Sequence, residues 1–401
     1  MIMKKVVKRL VTAILTGCMA MTLLAGCGSG NADTATTGDA AAETSSGSES
    51  ETEDVDNGGD KTIGVVFYSR TDSLGSVVYE LINSAAEAWG VNVRWEIGGL
   101  DNDTQLNSVQ NLISAGVDGI VIIPLADTVT QRTAEMCEDA GVYFSLTCRD
   151  IIDEDIREQV TSNPYFVGMC YEADYDAAME MVRIAAEQGC TKASVGYNSP
   201  TVPFEKQVTA GFNDGMEEYG VEKVAEYTIS DTGDANVTIS NLENFLDAYP
   251  DMDLVLAGAG SQGIAEASVQ LLANTGVKLA TRDFFTGMEE AFESETLAVA
   301  VGGMAPDALY SMAMCYNAIA GTPLSDSYIE LQQKYIFLTS AEECRLYEEY
   351  FGTDLSKVGE VYTPDYLNSL LKSNNPDLTA ESMQSMMDEY SMEWIEEQVS
   401  K

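Results

Sequence analysis

The side chains that could do chemistry in this chain are carboxylates, arginines and cysteines, because its 401 residues include no histidine. The usual general base of serine and cysteine hydrolases and the commonest metal ligand are therefore missing. The six cysteines after Cys27 are scattered, with no CxxC pair and no zinc-ligand spacing, so we expect no metal site. Acid–base catalysis would have to use a pair of carboxylates, as in glycoside hydrolysis.

Polar side chains follow two short apolar runs that have the composition of buried strands. Asp127 comes after the run 119–123, and Arg149 comes after the run 141–146. Ligands of open α/β sheets bind at the carboxyl ends of the strands, so these positions are candidates for binding. The guanidinium of Arg149 is a rigid fork of donors, which suits vicinal hydroxyl groups or a carboxylate.

The elements that would position these side chains are clearest at residues 106–127. Apolar residues recur there at helical spacing up to Gly116, and the run 119–123 is apolar and rich in β-branched residues. Such a run predicts a strand buried on both faces of a parallel sheet. Pro124 ends the strand, because it has no backbone N–H to donate.

Strand and helix patterns alternate along most of the chain after residue 61. This alternation predicts βαβ units and therefore parallel sheets. The pattern comes in two successive sets, the first up to about residue 170 and the second from about residue 174. The last 60 residues are acidic and helical in character, and we expect them to pack on the globular body.

The first residues have the features of an export signal. A basic start is followed by a mostly apolar stretch, and Leu-Ala-Gly-Cys27 then resembles a bacterial lipoprotein cleavage box. We interpret 1–26 as a signal peptide and Cys27 as the lipidated residue, with an ordinary secretory peptide or a short membrane anchor as alternatives. Residues 27–60 are small, polar and acidic, which predicts a disordered tether at the extracytoplasmic face of the cell membrane.

The charge balance narrows the range of partners. The chain has 65 Asp and Glu against 21 Lys and Arg, a net charge of −44. A polyanion of this kind repels nucleic acids and anionic lipid headgroups, so we expect no nucleic-acid partner.

One glycine pattern suggests a cofactor when it is taken alone. Gly258, Gly260 and Gly263 fit G-x-G-x-x-G between a predicted strand and a helix, and Asp283 follows 20 residues later. The pattern lies late in a chain that carries an export signal. We therefore do not interpret it as a nucleotide site, and we expect no cofactor.

Six stretches carry a resemblance to a known family. In chain order they are IGVVFYSRTDSLGSVVYELINSAAEAWGV, NLISAGVDGIVIIPLAD, GVYFSLTCRDI, YFVGMCYEADYDAAMEM, MDLVLAGAGSQGIAEASVQLLANTGVKLA and LAVAVGGMAPDALYSMAMCYNAIAGTPL. Their order and spacing resemble the ribose-binding-type (class I) periplasmic binding proteins, over residues 61 to about 340. The resemblance implies two Rossmann-like α/β lobes joined by three crossings, with the ligand in the cleft between them.

The same resemblance implies domain boundaries. The first lobe would comprise 61–171 with 304–322, and the second 172–303 with 323–340. A helical C-terminal extension would follow at 341–401.

The resemblance also assigns polar ligand contacts. Asp72 stands where an Asn or Asp ligand is usual, although it could equally serve only as the N-cap of the next helix. Arg149 fits the second member of the family's Asp-Arg pair, with a salt bridge inside the lobe as the alternative. Cys148 replaces the Asp of that pair, and a thiol is a poor acceptor. Asp283 matches the late cleft carboxylate of the family.

Further positions around the expected cleft complete the set. Tyr68 and Phe204 would form apolar walls, Asn198 the far wall, and Ser261 would occupy the position of a polar ligand pair. Asp127 would border the cleft. The predicted ligand-binding residues are therefore Tyr68, Asp72, Asp127, Cys148, Arg149, Asn198, Phe204, Ser261 and Asp283.

Two departures from the family pattern matter for the ligand. Leu74 and Gly75 stand where two stacking aromatic residues are usual, so that platform is missing here. In the family, the strands that end at Cys148 and Cys170 are neighbours, which makes a disulfide at the cleft wall a hypothesis.

We therefore expect a monomeric, lipid-anchored solute-binding protein that captures a sugar and delivers it to the permease of an ABC importer, without catalysis. Two alternatives remain open. The chain could be a receptor that presents its ligand to a membrane histidine kinase, or an extracellular glycosidase that uses two carboxylates.

Overall fold

The computed structural model describes residues 54–200, 202, 204–229, 234–258 and 262–400. The predicted signal peptide, Cys27 and Ser261 lie outside these residues. Within this part of the chain, no helix combines the length and the hydrophobicity needed to cross a membrane.

Strands and helices alternate through the described residues. The strands are β1 Asp54–Val55, β2 Thr62–Phe67, β3 Asn92–Ile97, β4 Gly119–Ile122, β5 Tyr143–Thr147, β6 Phe166–Glu172, β7 Lys192–Tyr197, β8 Glu222–Thr228, β9 Leu254–Ala257, β10 Lys278–Arg282, β11 Leu297–Gly302, β12 Ile329–Gln333 and β13 Ile336–Leu338. The longer helices of the two lobes are α1 Ser73–Trp89, α2 Asn102–Ala115, α3 Asp127–Ala140, α4 Glu154–Thr161, α5 Asp174–Glu187, α6 Glu205–Tyr219, α7 Ala235–Ala248, α8 Gln262–Leu272, α9 Met288–Glu293 and α10 Pro306–Ile319. The helices that follow are α11 Ala341–Phe351, α12 Val358–Val361, α13 Pro364–Ser369, α14 Ala380–Asp388 and α15 Met392–Val399.

The strands form two sheets, one in each lobe. The first has the order β1-β3-β2-β4-β5-β6-β12 and the second the order β13-β11-β10-β9-β7-β8. Neighbours are parallel except at one edge of each sheet, where β1 and β13 run antiparallel to their partners. Central strands such as β4 and β9 are buried along their whole length, as their continuous apolar runs predict. The predicted two-lobed α/β fold is confirmed.

The chain crosses between the lobes three times, as the resemblance implies. The first crossing is at Ala173, between β6 and α5. The second is at residues 303–305, between β11 and α10, and the third is at Lys334 and Tyr335, between β12 and β13. Both lobes lie within one compact unit that contains all the described residues.

The third crossing lies later than predicted. The prediction gave all of 323–340 to the second lobe, but β12 pairs in parallel with β6 in the first sheet, and only β13 joins the second. A Cβ at Gly168 of β6 would lie 2.2 Å from the carbonyl oxygen of Ile329, so glycine is what lets β12 approach. A glycine inside a strand often marks a close backbone neighbour. Gly168 was therefore the sequence feature that could have predicted the pairing of β12 with β6.

The predicted disordered tether is also too long at its C-terminal end. Asp54 and Val55 pair with Arg94 and Val93 of the edge strand β3. The carboxylate of Asp54 lies 3.0 Å from the guanidinium of Arg94. Composition missed this strand because its pairing uses backbone groups and one ion pair, and hardly any apolar burial.

The C-terminal helices pack on the body of the molecule, as expected. The Trp89 indole N–H of α1 donates to the Leu367 carbonyl at 2.9 Å. Asn317 of α10 donates to the Leu370 carbonyl at 2.9 Å, and the Tyr390 hydroxyl donates to the Gly303 carbonyl at 2.8 Å. The extension is therefore part of the structural core around α1, α10 and the second crossing.

Candidate functional site

A cavity of about 110 Å³ lies where the first crossing leaves the first sheet. One side is the loop that follows β5, and the other is formed by the beginnings of α5 and α6. It is lined by Cys148, Arg149, Asp150, Ile152, Tyr171, Glu172, Ala173, Asp174, Tyr175, Asp176, Phe204, Gln207 and Gln332. The carboxyl ends of parallel strands therefore open onto this space, as expected for an α/β binding site.

Arg149 spans this cavity from the first lobe toward the second. The preceding residue, Cys148, has a φ of 55°, so the chain turns sharply at the end of β5. The guanidinium carbon of Arg149 lies 5.2 Å from the centre of the Phe204 ring, and its Nη1 donates to the Cys148 carbonyl at 2.5 Å. Cys148, Arg149 and Phe204, predicted from two separate parts of the chain, thus meet at the cavity.

A second group of predicted residues gathers beside Arg149. The Tyr68 hydroxyl bonds to the Asp72 carboxylate, and the charges of Asp283 and Arg149 act on the same phenol. Burial, and then the carboxylates of Asp72 and Asp283, raise the pKa of Tyr68 well above its usual value, so this hydroxyl stays protonated. Asp283 follows β10 with a φ of 80°, and its backbone N–H donates to the Val301 carbonyl at 2.7 Å.

Asp72 also has the capping role that was the alternative interpretation. Its Oδ1 accepts from the Gly75 backbone N–H at 2.7 Å, which caps the N-terminus of α1. The two roles are compatible, because one carboxylate can accept from both the Gly75 amide and the Tyr68 hydroxyl. As a ligand contact, Asp72 stays a prediction.

The polar groups of Asn198 and Asp127 form hydrogen bonds within the protein. The backbone N–H and the side-chain Nδ2 of Asn198 both donate to Glu205 Oε2 at 3.0 Å. Asp127 Oδ2 accepts from the backbone N–H groups of Ile152 and Asp153 at 3.0 and 2.7 Å. Asp127 thereby holds the loop that carries Arg149, and neither Asp127 nor Asn198 lines the cavity.

Sequence reasoning missed a buried ionic cluster behind Phe204. Arg282 Nη2 lies 2.8 Å from Asp174 Oδ1, and the Tyr335 hydroxyl donates to the same Asp174 oxygen at 2.8 Å. The guanidinium carbon of Arg282 lies 4.1 Å from the Phe204 ring centre. The cluster joins the first crossing, the end of β10 and the third crossing. The only sequence feature that pointed to this cluster was the position of its members, because Asp174 opens α5 just after β6 and Arg282 ends β10.

The two cysteines of the cleft wall are neighbours, as the resemblance implies, but both are free thiols in the structure. Thr147 at the end of β5 pairs with Cys170 of β6, which brings Cys148 close to Cys170. Burial raises the pKa of both thiols well above the usual value. The structure therefore contains no disulfide at this position.

A compact set of donors lies at the wall of the cavity, which Cys148 and Glu172 also line. The Cys148 sulfur, a Glu172 carboxylate oxygen and an Asp307 carboxylate oxygen all lie within 4.8 Å of one another, and all three residues are buried. Burial, and then the nearby charge of Asp174, raise the pKa of Glu172 to about 7. The spacing of cysteines predicted no such group, because its members come from three separate segments.

Arg149 and Phe204 line the cavity, whereas Tyr68, Asp72 and Asp283 lie beside Arg149 outside its lining. Together these side chains suit a small polyhydroxylated molecule. Arg149 offers a fork of donors, Asp72 and Asp283 offer acceptors, and the rings of Tyr68 and Phe204 offer apolar faces. Ligand sites of this kind combine apolar walls with a few convergent polar groups.

Comparisons with known proteins agree with this architecture. Residues 63–322 match the family model of the periplasmic binding protein domain. No curated protein sequence matches the chain.

Solved structures of similar fold come from several bacteria. An ABC transporter solute-binding protein from Bacillus halodurans with bound myo-inositol is 22% identical with a TM-score of 0.58, covering 73% of this chain and 98% of its own. One from Actinobacillus succinogenes with bound D-allose is 14% identical with a TM-score of 0.61, covering 71% and 99%. A periplasmic sugar-binding protein from Pseudomonas fluorescens is 13% identical with a TM-score of 0.65, covering 83% and 99%.

Proposed function

This chain belongs to the periplasmic binding protein family, and we propose on that basis that it captures a sugar or sugar-like solute between its lobes and delivers it to an ABC importer. The observation that carries the proposal is the convergence of Arg149, Tyr68, Asp72 and Asp283 at the carboxyl ends of strands from both sheets. The bound sugars of the structural relatives support the same class of ligand.

The polar groups divide the work of recognition. The Arg149 fork donates to two adjacent hydroxyl oxygens, while Asp72 and Asp283 accept hydroxyl protons. Hydrogen bonds to charged groups contribute about 1.5–3 kcal/mol each. These three groups would therefore supply most of the polar binding energy that orients the ligand. Tyr68 and Phe204 cover the less polar faces of the ring.

The lobes must separate before a sugar can enter. The cavity of about 110 Å³ is smaller than the roughly 300–1,000 Å³ typical of ligand pockets. Protein groups fill the remaining space, since Arg149 rests on Phe204 and the Ser73 hydroxyl reaches the Phe284 carbonyl at 3.5 Å. We infer that the solute displaces the Arg149–Phe204 contact and that the lobes then close over it, which excludes water.

We further propose that the protein works as a monomer tethered by a lipid on Cys27, and that it releases its ligand unchanged. Radiolabelled palmitate that is incorporated into the wild type but not into Cys27→Ser would support the tether. Recovery of the bound sugar without hydrolysis products supports binding alone, whereas steady product release would mean an enzyme.

The substitution Arg149→Ala tests the site. We expect it to abolish sugar binding while the unfolding midpoint of the ligand-free protein changes little, because Arg149 is half-exposed at the cleft. A thermal-shift screen over pentoses, hexoses and inositols, starting with myo-inositol and D-allose, identifies a ligand, since binding raises the midpoint of unfolding. Isothermal titration then measures affinity.

Arg132→Ala is the matched control, because Arg132 lies on α3 with 59% of its side chain exposed and pairs only with Glu135 among the ion pairs described. It should leave the affinity unchanged. Full affinity in Arg149→Ala would contradict the site, and a wild type without affinity for any sugar would contradict the proposed ligand class.

A further inference from the structure

Cys148, Glu172 and Asp307 form a group that we name the hinge cluster. Cys148 follows β5, Glu172 ends β6, and Asp307 lies in the first turn of α10, so the cluster touches both the first and the second crossing. The three residues are 1%, 4% and 0% exposed, and their donor atoms lie within 4.8 Å of one another. Glu172 and Asp307 have no role in the sugar contacts proposed above. Cys148 was predicted from the sequence as a ligand-binding residue, but it is not one of those proposed contacts.

Several buried acceptors of this region lack a nitrogen or oxygen donor. Among the described residues, Glu172 Oε1 and both carboxylate oxygens of Asp307 have no such partner, and only the weakly donating Cys170 thiol interacts with Asp307 as a hydrogen-bond donor. Gln333 Oε1 is unpartnered as well, and Gln333 lies opposite Glu172 in the pairing of β12 with β6. Buried acceptors are normally satisfied, so this concentration of unsatisfied oxygens points to a partner that the protein itself does not supply, such as an ion.

We propose that the hinge cluster binds one borderline-soft divalent cation, Zn²⁺ being the best match, through the sulfur of Cys148 and the carboxylates of Glu172 and Asp307. Thiolate and carboxylate donors are both zinc ligands, and a thiolate disfavours Ca²⁺ and Mg²⁺. Three protein ligands leave the fourth tetrahedral position open.

The geometry needs only a small contraction. With bonds of about 2.0–2.3 Å, tetrahedral donors lie roughly 3.3–3.8 Å apart, so side-chain rotation must draw the donors together by about 1 Å. Binding releases the protons that the thiol and carboxyl groups hold. Arg149 acts electrostatically on all three residues and offsets the negative charge that remains on the bound site.

The cluster borders the cleft, because Cys148 and Glu172 also line the cavity. A bound cation would therefore fix the loop that carries Arg149 relative to β6 and α10. The proposed metal site depends only on the hinge cluster, so it does not require the solute to be a sugar.

Metal binding by the purified chain tests the proposal. Protein stripped with EDTA is dialysed against Zn²⁺ and its metal content is measured by mass spectrometry, and Co²⁺ is added in parallel to detect the thiolate-to-cobalt charge-transfer band. We expect one tightly bound zinc and a thiolate band in the wild type. Asp307→Asn and Cys148→Ser should each weaken zinc binding by at least about a hundredfold, since loss of a ligand exceeds the 10–100-fold effect of a supporting residue.

Cys137→Ser is the control, because Cys137 is also fully buried but lies on α3 in a separate apolar cluster. It should bind zinc like the wild type. A wild type that shows no thiolate–cobalt band, or that binds no more zinc than Asp307→Asn, overturns the proposal. If a variant fails to fold, the thiolate–cobalt spectrum of the wild type alone decides whether the metal site exists. Sugar binding is measured separately, so that failure of the metal site can be distinguished from failure of the proposed function.

Discussion

Arg282 and Asp174 form an ion pair that is almost completely shielded from water, with 5% and 11% of their side chains exposed. Tyr335 completes the pair, since its hydroxyl donates to Asp174 and accepts from Arg282 Nε at 3.0 Å. Removing one ion of such a pair leaves the other buried without compensation. At the residue scale, a single substitution in this cluster should lower the free energy of unfolding more than one in an exposed ion pair.

We expect Asp174→Ala to lower the free energy of unfolding by about 3–5 kcal/mol, the usual cost of stranding a buried charge. Urea denaturation followed by circular dichroism measures the loss. Glu135→Ala breaks an exposed pair with Arg132 and should cost at most about 1 kcal/mol. Equal losses in the two variants would show that Arg282 finds another partner or reaches solvent.

The residues of the site were predictable to different degrees. Tyr68 and Arg149 could be proposed because each follows a strong strand pattern, and strand ends converge in an α/β fold, whereas Asp283 was proposed from the family resemblance; all three stay predictions as ligand contacts. Glu172 and Asp307 were not found, because each looks locally like an ordinary polar residue at the end of an element. Only the pairing of β5 with β6, and the packing of α10 against both, brings their side chains together.

At the scale of elements, the C-terminal helices stabilise the molecule through contacts that the sequence pattern did not specify. Leu370, which follows α13, is completely buried, and its carbonyl accepts the side-chain N–H of Asn317. The extension therefore shares its apolar core with α1 and α10, and its removal would expose both.

We expect Leu370→Ala to lower the free energy of unfolding by about 2–5 kcal/mol, through lost apolar burial and the cavity left behind. Leu100→Ala is the matched control, because Leu100 is 77% exposed and its loss should change stability by about 0.5 kcal/mol or less. Thermal and urea unfolding of both variants give the comparison. A neutral Leu370→Ala would mean that the extension does not contribute to the cooperative unit.

Fully buried central strands were predicted closely, whereas edge strands were not. The run 119–123 became β4, within one residue at either end. By contrast, β12 alternates buried and exposed residues over five positions, and β13 has three residues. An edge strand needs few apolar side chains, so its pairing depends on the neighbouring strand and leaves little trace in its own composition.

At the scale of the whole molecule, the two lobes meet through side chains that a ligand must displace. The guanidinium of Arg149 and the ring of Phe204 lie on opposite sides of the cleft. The conformation with a small cavity is therefore closed, and under the proposed function the ligand-free protein must visit open conformations to admit its ligand.

We expect a saturating sugar to reduce the radius of gyration measured by small-angle X-ray scattering, because the ligand bridges both lobes and favours the closed state. Arg149→Ala should show no such change at the same sugar concentration. An unchanged radius in the wild type, with binding verified by titration, would mean that the cleft is closed before the ligand arrives and that entry does not require opening of the lobes.

The link between β12 and β13 consists of Lys334 and Tyr335 alone. Three backbone steps reach at most about 10–11 Å, so the two sheets cannot move far apart at this edge. Tyr335 is also held by Asp174 and Arg282, next to the first crossing. In mechanical terms, we expect this edge to act as a pivot about which the lobes rotate. Sliding of the lobes is suppressed, and the distance from the pivot sets how far each wall of the cleft travels.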